Sequence, residues 1–270
     1  MEGHQFGELF AGSIETRGEL SRWLSRSDIA VIWARDDTGK VFTAAARCGA
    51  KEVIVGSPFS PALTARHQRD RFLEILGEPP EDPCSRARLA VPEPLMKRGI
   101  GCLESTGIPR RPVALVHPGS GSTHKCADPE ILVEVIKTVQ NDGLVPVLLE
   151  GPADQSAVGS LLAALPSTPF ILRGFDLPTL AGVLAQTRLF VGHDSGVTHL
   201  AALLGVPTVA LFGPTDRERW APQGAHVSIA SGTSCLCPDW EQVTHCSPKP
   251  CLVIPPEEIL KQCRTRLALG

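Results

Sequence analysis

The chain has 270 residues, 43% of them hydrophobic and 20% charged, with a formal net charge of −3. That length and balance suit a globular protein with a buried core, in one large domain or two modest ones, and the mild negative charge gives no electrostatic case for a nucleic-acid partner. The nine cysteines are an odd number, the start Met1-Glu-Gly-His-Gln is polar rather than a signal peptide, and no apolar run approaches the roughly 20 residues of a membrane span, so a reducing, cytoplasmic setting with mostly free thiols is expected.

In chain order, Leu20, Trp23 and Leu24 predict a helix, Ile29–Trp33 a strand, Val41, Ala44, Ala45 and Cys48 a second helix, and Val53–Val55 a second strand. Asp36-Asp37-Thr-Gly reads as a turn rather than part of a metal-binding D-x-D, which the sequence does not contain. Residues 77–94 are Pro-rich and read as loop, and Ser105 to Pro112 as an interdomain linker.

From Val113 onward, strand and helix alternate. Strands are predicted at Val113–His117, Val145–Glu150, Phe170–Leu172, Arg188–Gly192, Pro207–Phe212 and Val227–Ala230. Between the first two, Leu132, Val135, Ile136 and Val139 mark a helix, with Asp128 placed to cap it and Pro129 at its first turn. Leu161, Leu162 and Leu165 mark the next, then Leu177, Leu180, Ala181 and Leu184, then Val197, Leu200, Ala201 and Leu204, stopped by Gly205. Ile259, Cys263 and Leu267 give a last amphipathic helix. Such alternation predicts an α/β fold with a doubly wound parallel sheet over residues 108–270. Two or three strands before residue 108 are too few for a complete Rossmann-like half, so residues 1–107 are expected to form a partial amino-terminal domain.

Two turns in this scheme carry candidate chemistry. Asp194, Ser195, Gly196 and His199 collect where a strand's carboxyl end meets a helix amino end, a place that favours phosphate. An ordinary βα turn with Asp194 or Ser195 as N-cap is the alternative. The loop Gly119-Ser120-Gly121-Ser122-Thr123-His124-Lys125 has glycines that let main chain approach a phosphate, hydroxyls that donate, and a cation. Its alternative is a flexible connection with a solvated lysine. The loop lacks the third glycine of G-x-G-x-x-G, and no G-x-x-x-x-G-K-[ST] exists, which argues against a dinucleotide fold and a P-loop. Cys235, Cys237, Cys246 and Cys251 are four thiols close in sequence; free thiols are expected, with zinc or a disulfide as alternatives.

The run from Val191 to Asp216, VGHDSGVTHLAALLGVPTVALFGPTD, resembles the signature of glycosyltransferase family 9, the ADP-heptose:lipopolysaccharide heptosyltransferases of Gram-negative bacteria. The run from Val116 to Lys125, VHPGSGSTHK, is similar to the family's H-P-G loop, and the likeness extends over about residues 110–260. The resemblance implies a GT-B fold of two Rossmann-like domains, the amino-terminal one incomplete here, with the last helix crossing back to the first domain. It implies transfer of a sugar, heptose, from an ADP-sugar to a lipid-linked lipopolysaccharide core acceptor, with inversion and with neither metal nor cofactor. By the same resemblance, Ser120 and Lys125 contact the diphosphate and sugar and stabilise the leaving group. Gly121, Ser122 and Thr123 belong to that loop. Asp194, Ser195 and Gly196 bind sugar and diphosphate, His199 phosphate, and Asp154 the nucleotide ribose, its alternative being an exposed helix N-cap. Contact with the inner face of the cytoplasmic membrane is implied as well. Two departures stand out. The family's Lys-x-Trp-Pro appears here as Lys125-Cys-Ala-Asp-Pro129, and the L-G-D whose Asp is the family's expected general base is absent from the sequence, which begins where the family's second or third strand would be. A catalytically impaired sugar-nucleotide-binding remnant is therefore the alternative to an active transferase.

Overall fold

The computed structural model describes residues 4–11, 18–78 and 88–269. The chain divides into two compact units, Met1–Pro83 and Cys84–Gly270. The first holds α1 (His4–Ala11), α2 (Glu19–Leu24), β1 (Ile29–Ile32), α3 (Lys40–Arg47), β2 (Glu52–Val55) and α4 (Gln68–Ile75). Strands β1 and β2 pair in parallel, Ile29 opposite Glu52, over a small core of Leu20, Leu24, Ala30, Val41, Ala44 and Ala45. Asp36 works as the turn residue its sequence suggests: its carboxylate accepts the amides of Val41 and Phe42 at 3.1 and 2.9 Å and so covers the open start of α3.

The second unit contains α5 (Glu93–Ser105), β3 (Val113–His117), α6 (Pro129–Asn141), β4 (Val145–Glu150), α7 (Gln155–Ala164), β5 (Phe170–Arg173), α8 (Leu177–Leu184), β6 (Thr187–His193), α9 (Gly196–Leu203), β7 (Thr208–Phe212), α10 (Arg217–Trp220), β8 (Val227–Ser231), α11 (Trp240–His245) and α12 (Pro256–Leu269). The six strands form one parallel sheet in the order β5-β4-β3-β6-β7-β8. Alternation along each strand sends residues to two cores. Ala114, Val116, Leu148, Leu189, Val191, Val209 and Leu211 pack with α6, α7 and α12 on one face. Val113, Leu115, Val147, Leu149 and Phe190 pack with α8 and α9 on the other. Strands buried on both faces explain the unbroken apolar runs in the sequence.

The order runs outward from β3 in one direction and resumes at β6 in the other, which makes the gap between their carboxyl ends the switch point of the sheet. The unit boundary at Pro83/Cys84 differs from the 107/108 division expected from sequence. The reason is α5, which packs closely on α8: a Cβ on Gly99 would stand 2.1 Å from the Gly182 carbonyl carbon. With Ile108 buried in the same core, the segment expected to be a linker is part of the second unit. Half of the expected loop over 77–94 lies outside the described residues, and its end enters α5 at Glu93.

Candidate functional site

Three turns meet at the switch point: those following β3, β4 and β6. After β3 the chain runs His117-Pro118-Gly119-Ser120, and Gly119 is required for space, since a Cβ there would stand 1.8 Å from Asp154 Oδ1. Ser120 is buried and its Oγ donates to the Asp194 carbonyl at 2.7 Å, tying the first turn to the third. A short 3-10 turn over Thr123–Lys125 follows, with Ser122 Oγ accepting the His124 amide at 3.3 Å. It aims Lys125 back at the switch point, where Nζ lies 2.7 Å from Asp194 Oδ2. The Lys125 ammonium also sits 5.9 Å from the ring centre of Trp240, at the start of α11.

The turn after β6 holds Asp194 and Ser195. Ser195, not Asp194, is the N-cap of α9: its Oγ accepts the Thr198 amide at 3.4 Å, and Thr198 Oγ1 in turn donates to the His193 carbonyl at 2.5 Å. This leaves the amides of Gly196 and Val197 in the first turn of α9, where no carbonyl of the helix can reach them. A Cβ on Gly196 would meet nothing within 4 Å, so that turn is open to approach. His199 lies one turn on, with Nε2 4.0 Å from Asp194 Oδ1.

Asp154 departs from the exposed cap that was its alternative. It is 5% exposed and makes no side-chain capping bond at the start of α7. Its Oδ2 accepts from the Gly151 amide at 2.8 Å and lies 2.9 Å from His117 Nε2. The His117 hydrogen bond holds the Asp154 carboxyl below the usual carboxylate range, against the opposing effect of burial; the charge interaction with His117 and the Gly151 amide add to it. Asp154 lines a cavity of about 350 Å³ at the carboxyl ends of β4 and β5, shared with His117, Glu150, Arg173, Phe175 and Leu177. A larger hollow of about 460 Å³ lies behind the loop, among Thr123, Cys126, Ala127, Leu132 and Leu161. It takes in none of His117, Asp154 and Val197, all of which line the smaller cavity, so the smaller cavity is the one at the switch point.

The switch point thus gathers Ser120, Lys125, Asp154, Asp194, Ser195, Gly196 and His199. It does not gather all the predicted loop residues: Ser122 caps its own turn, Thr123 faces the hollow behind the loop, and Gly121 has open space around it. Two histidines, His117 of the family-like H-P-G run and His193 at the end of β6, have no role assigned from the sequence. His117 joins Asp154 to the α9 turn, with Nδ1 3.4 Å from Ser195 Oγ. His193 is fully buried, and its Nε2 accepts the Ala127 amide at 3.0 Å, which puts the ring proton on Nδ1. Burial, and after it the neighbouring His117, pushes His193 down to about 4, so it stays neutral and structural.

The cysteines stand apart from this site. Among the described residues every cysteine is free, and no group of three or more His, Cys, Asp or Glu side chains is disposed to hold a metal ion. The zinc and disulfide alternatives for Cys235, Cys237, Cys246 and Cys251 therefore find no such arrangement. The thiols instead interact among themselves, Cys237 with Cys235 and Cys246, and Cys251 with Cys235; burial first and those neighbours second push Cys237 up to about 11. No helix among the described residues is long and apolar enough to cross a membrane.

Comparison with known proteins fits this geometry. The model of "Glycosyltransferase family 9 (heptosyltransferase)" matches residues 85–248. Lipopolysaccharide heptosyltransferase 3 of Escherichia coli K12 is 31% identical over 112 residues, which is 40% of this chain and 33% of that protein. The chain thus spans about a third of the length of the curated relatives it matches. Among solved structures, a glycosyl transferase family 9 protein from Veillonella parvula superposes with a TM-score of 0.74 at 20% identity, covering 96% of this chain and 82% of that one. E. coli ADP-heptose lps heptosyltransferase II gives 0.70 at 19% identity, over 93% and 81%. These likenesses show the GT-B fold that the sequence resemblance implied. With the family model matching well over half of its length, the chain belongs to glycosyltransferase family 9, the heptosyltransferase family.

Proposed function

We propose that this chain binds an ADP-sugar at the switch point of its second unit and transfers the sugar, heptose, to a lipopolysaccharide core acceptor with inversion. The observation that carries this reading is the convergence of Lys125, the open amino end of α9 and the Asp154-lined cavity, all at the carboxyl ends of β3, β4 and β6. The relatives' names supply heptosyl transfer and, for one of them, ADP-heptose.

The division of labour follows from charge and reach. Asp154 is ionised and lines the cavity, where a carboxylate can accept ribose hydroxyls. The nucleoside takes the cavity and the diphosphate takes the α9 amino end, where the Gly196 and Val197 amides and the helix dipole favour negative charge. Lys125, already seated within reach of that end, stabilises the charge that ADP gains as the sugar departs. Ser120 serves through the Asp194 carbonyl that it holds. Asp194 accepts sugar hydroxyls, and His199 stands beside the phosphates one turn further. A cation and main-chain donors supply what Mg²⁺ supplies in D-x-D transferases, and this sequence has no D-x-D; that supports transfer without metal. The acceptor hydroxyl then attacks the anomeric carbon from the face opposite ADP. No residue is assigned as its base, because the L-G-D of the family is absent. Contact with the inner face of the cytoplasmic membrane belongs to the same proposal, through the lipid-linked acceptor.

Calorimetric titration with ADP-heptose, followed by a transfer assay on lipopolysaccharide core with and without chelator, tests the reading. Lys125→Ala is expected to weaken donor binding or turnover at least about tenfold, or about 1.4 kcal/mol. Binding without transfer would identify a sugar-nucleotide-binding remnant, and no binding of any sugar nucleotide would end both readings. Turnover lost in chelator would remove the metal-free step.

A further inference from the structure

We propose that His117 is a positioning residue for the nucleotide: its two ring nitrogens hold the Asp154 carboxylate at the cavity and the hydroxyl of Ser195 at the amino end of α9. The proposal rests on the donor-site reading above and deepens it.

The geometry begins at β3. His117 is its last residue, 3% exposed, at the edge of the switch point. Its Nε2 lies 2.9 Å from Asp154 Oδ2, and an ionised carboxylate only accepts, so Nε2 carries the proton of this bond. The other ring nitrogen, Nδ1, faces Ser195 Oγ at 3.4 Å. Ser195 Oγ also caps the Thr198 amide at 3.4 Å and meets the Thr198 hydroxyl at 3.1 Å. One imidazole therefore bridges two turns, one from β4 and one from β6.

The surroundings of Asp154 make the dependence sharp. From β6, His193 faces it as a neutral ring. From the loop after β3 comes Cys126, whose thiol is pushed up to about 11 by burial and then by the Asp154 charge, and so stays protonated. From its own turn comes the Gly151 amide. The start of α9 presents the Ser195 and Thr198 hydroxyls to His117 and to each other. Lys125 is engaged with Asp194. Among the described residues, His117 is the basic side chain within hydrogen-bond reach of Asp154. Without it, burial opposed by a single amide raises the proton affinity of the carboxyl. A protonated Asp154 has lost an acceptor and its charge, and the ribose loses its partner.

The test uses the whole chain and two measurements. ADP affinity is followed by calorimetry between about pH 5 and about pH 8 for the unaltered protein, His117→Gln and His117→Leu. Gln keeps a donor at the Nε2 position, and Leu keeps only bulk. The unaltered protein and His117→Gln should agree within about threefold at each pH. His117→Leu should bind at least about tenfold more weakly at the acid end and recover as pH rises. Should His117→Leu fail to fold, His117→Asn takes its place, because its amide reaches Ser195 and not Asp154, and the same acid sensitivity is expected. The second measurement follows the Asp154 carboxyl carbon by NMR through a pH titration without nucleotide, and its midpoint should rise in the Leu or Asn variant. A flat affinity profile in His117→Leu, no rescue by Gln, or an unmoved carboxyl midpoint each overturns the proposal. If the unaltered protein binds no ADP, the donor-site reading falls and the nucleotide role with it. The ligand-free titration distinguishes that case from a failure of the His117–Asp154 link itself.

Discussion

Replacing Gly119 with alanine probes the three turns directly. On the present backbone the new Cβ stands 1.8 Å from Asp154 Oδ1, 2.3 Å from its Cγ and 2.8 Å from its Cβ. Ordinary contact begins at 3.4 Å, so the carboxylate must retreat by roughly 1.6 Å. Backbone conformation is no obstacle, since Gly119 is not among the glycines at positive φ. The obstacle is that Asp154 cannot retreat and keep His117 Nε2 at 2.9 Å and the Gly151 amide at 2.8 Å. Losing a charge-assisted bond between buried groups, and leaving its carboxylate short of partners, costs about 2–4 kcal/mol. For a unit of this size that lowers the melting temperature by roughly 4–15 °C, read by scanning calorimetry. Gly121→Ala is the control; its Cβ meets nothing within 4 Å, and a change inside about 0.5 kcal/mol is expected. The decisive measurement is a double-mutant cycle with Asp154→Gly, which removes all three crowded atoms. In that background Gly119→Ala should cost less than about 0.5 kcal/mol. Equal costs in both backgrounds, or an unchanged melting temperature in the single variant, would refute the packing argument.

The α5–α8 contact makes a second prediction. Gly99→Ala drives a methyl to 2.1 Å from the Gly182 carbonyl carbon and 2.5 Å from the Val183 nitrogen, main chain that cannot swing aside. Urea unfolding should show a loss of about 1–3 kcal/mol or more, whereas Gly101→Ala, with open space at its Cβ, should gain up to about 1 kcal/mol; equal midpoints for the two variants would count against the contact. A third concerns Cys126, pushed up to about 11 by burial and the Asp154 charge. Its alkylation by iodoacetamide, followed by mass spectrometry, should be slow near pH 8 and climb about tenfold per pH unit with no plateau below pH 10. A plateau near pH 9 would show an ordinary exposed thiol.

The central strands β3, β4, β6 and β7 were legible because they are buried on both faces and so read as largely apolar runs. Predicted and observed strand limits differ by a residue or two, as at Thr187–His193 against Arg188–Gly192. Asp128 caps α6 as its place before Pro129 predicts, its Oδ1 accepting the Glu130 amide at 3.0 Å. Helix α5 escaped notice for a physical reason. Its Pro94 falls in the Pro-rich stretch expected to be loop, yet proline is tolerated in a first turn, and Gly99 is what lets α8 approach. Misreading it moved the expected boundary. The turns at Gly119–Lys125 and Asp194–Gly196 were legible as local chemistry. Their union through the Ser120 hydroxyl and the Asp194 carbonyl spans 74 residues of sequence, and the His117–Asp154 pair spans 37. Pairings of that kind follow from strand order, which no local spacing encodes.

Two carboxylates beside a proposed diphosphate site look at first like a conflict, and the sheet order resolves it. A diphosphate is repelled by an unpaired carboxylate, but neither Asp154 nor Asp194 is unpaired. Each is held by a basic side chain delivered from the β3 segment: His117 at the strand's last residue, Lys125 eight residues beyond it. Those two groups differ in kind. His117 is buried and donates one proton along a fixed direction, whereas Lys125 is partly exposed, with 25% of its side chain accessible, and carries a mobile charge on a flexible stem. The buried pair is suited to holding an acceptor toward neutral hydroxyls. The mobile one can keep its contact with Asp194 while the substrate is whole, and lean toward the phosphates as charge grows there. In the proposed reaction the negative charge increases only at the leaving ADP, so the cation free to move is the one that lowers the barrier. That assigns ground-state recognition to the β3–β4 side of the switch point and leaving-group stabilisation to the β3–β6 side. On this division His117 variants should alter chiefly KM for the donor, and Lys125→Ala should depress kcat as well. A Lys125→Ala enzyme with full kcat and only a raised KM would show that the two sides are not divided in this way.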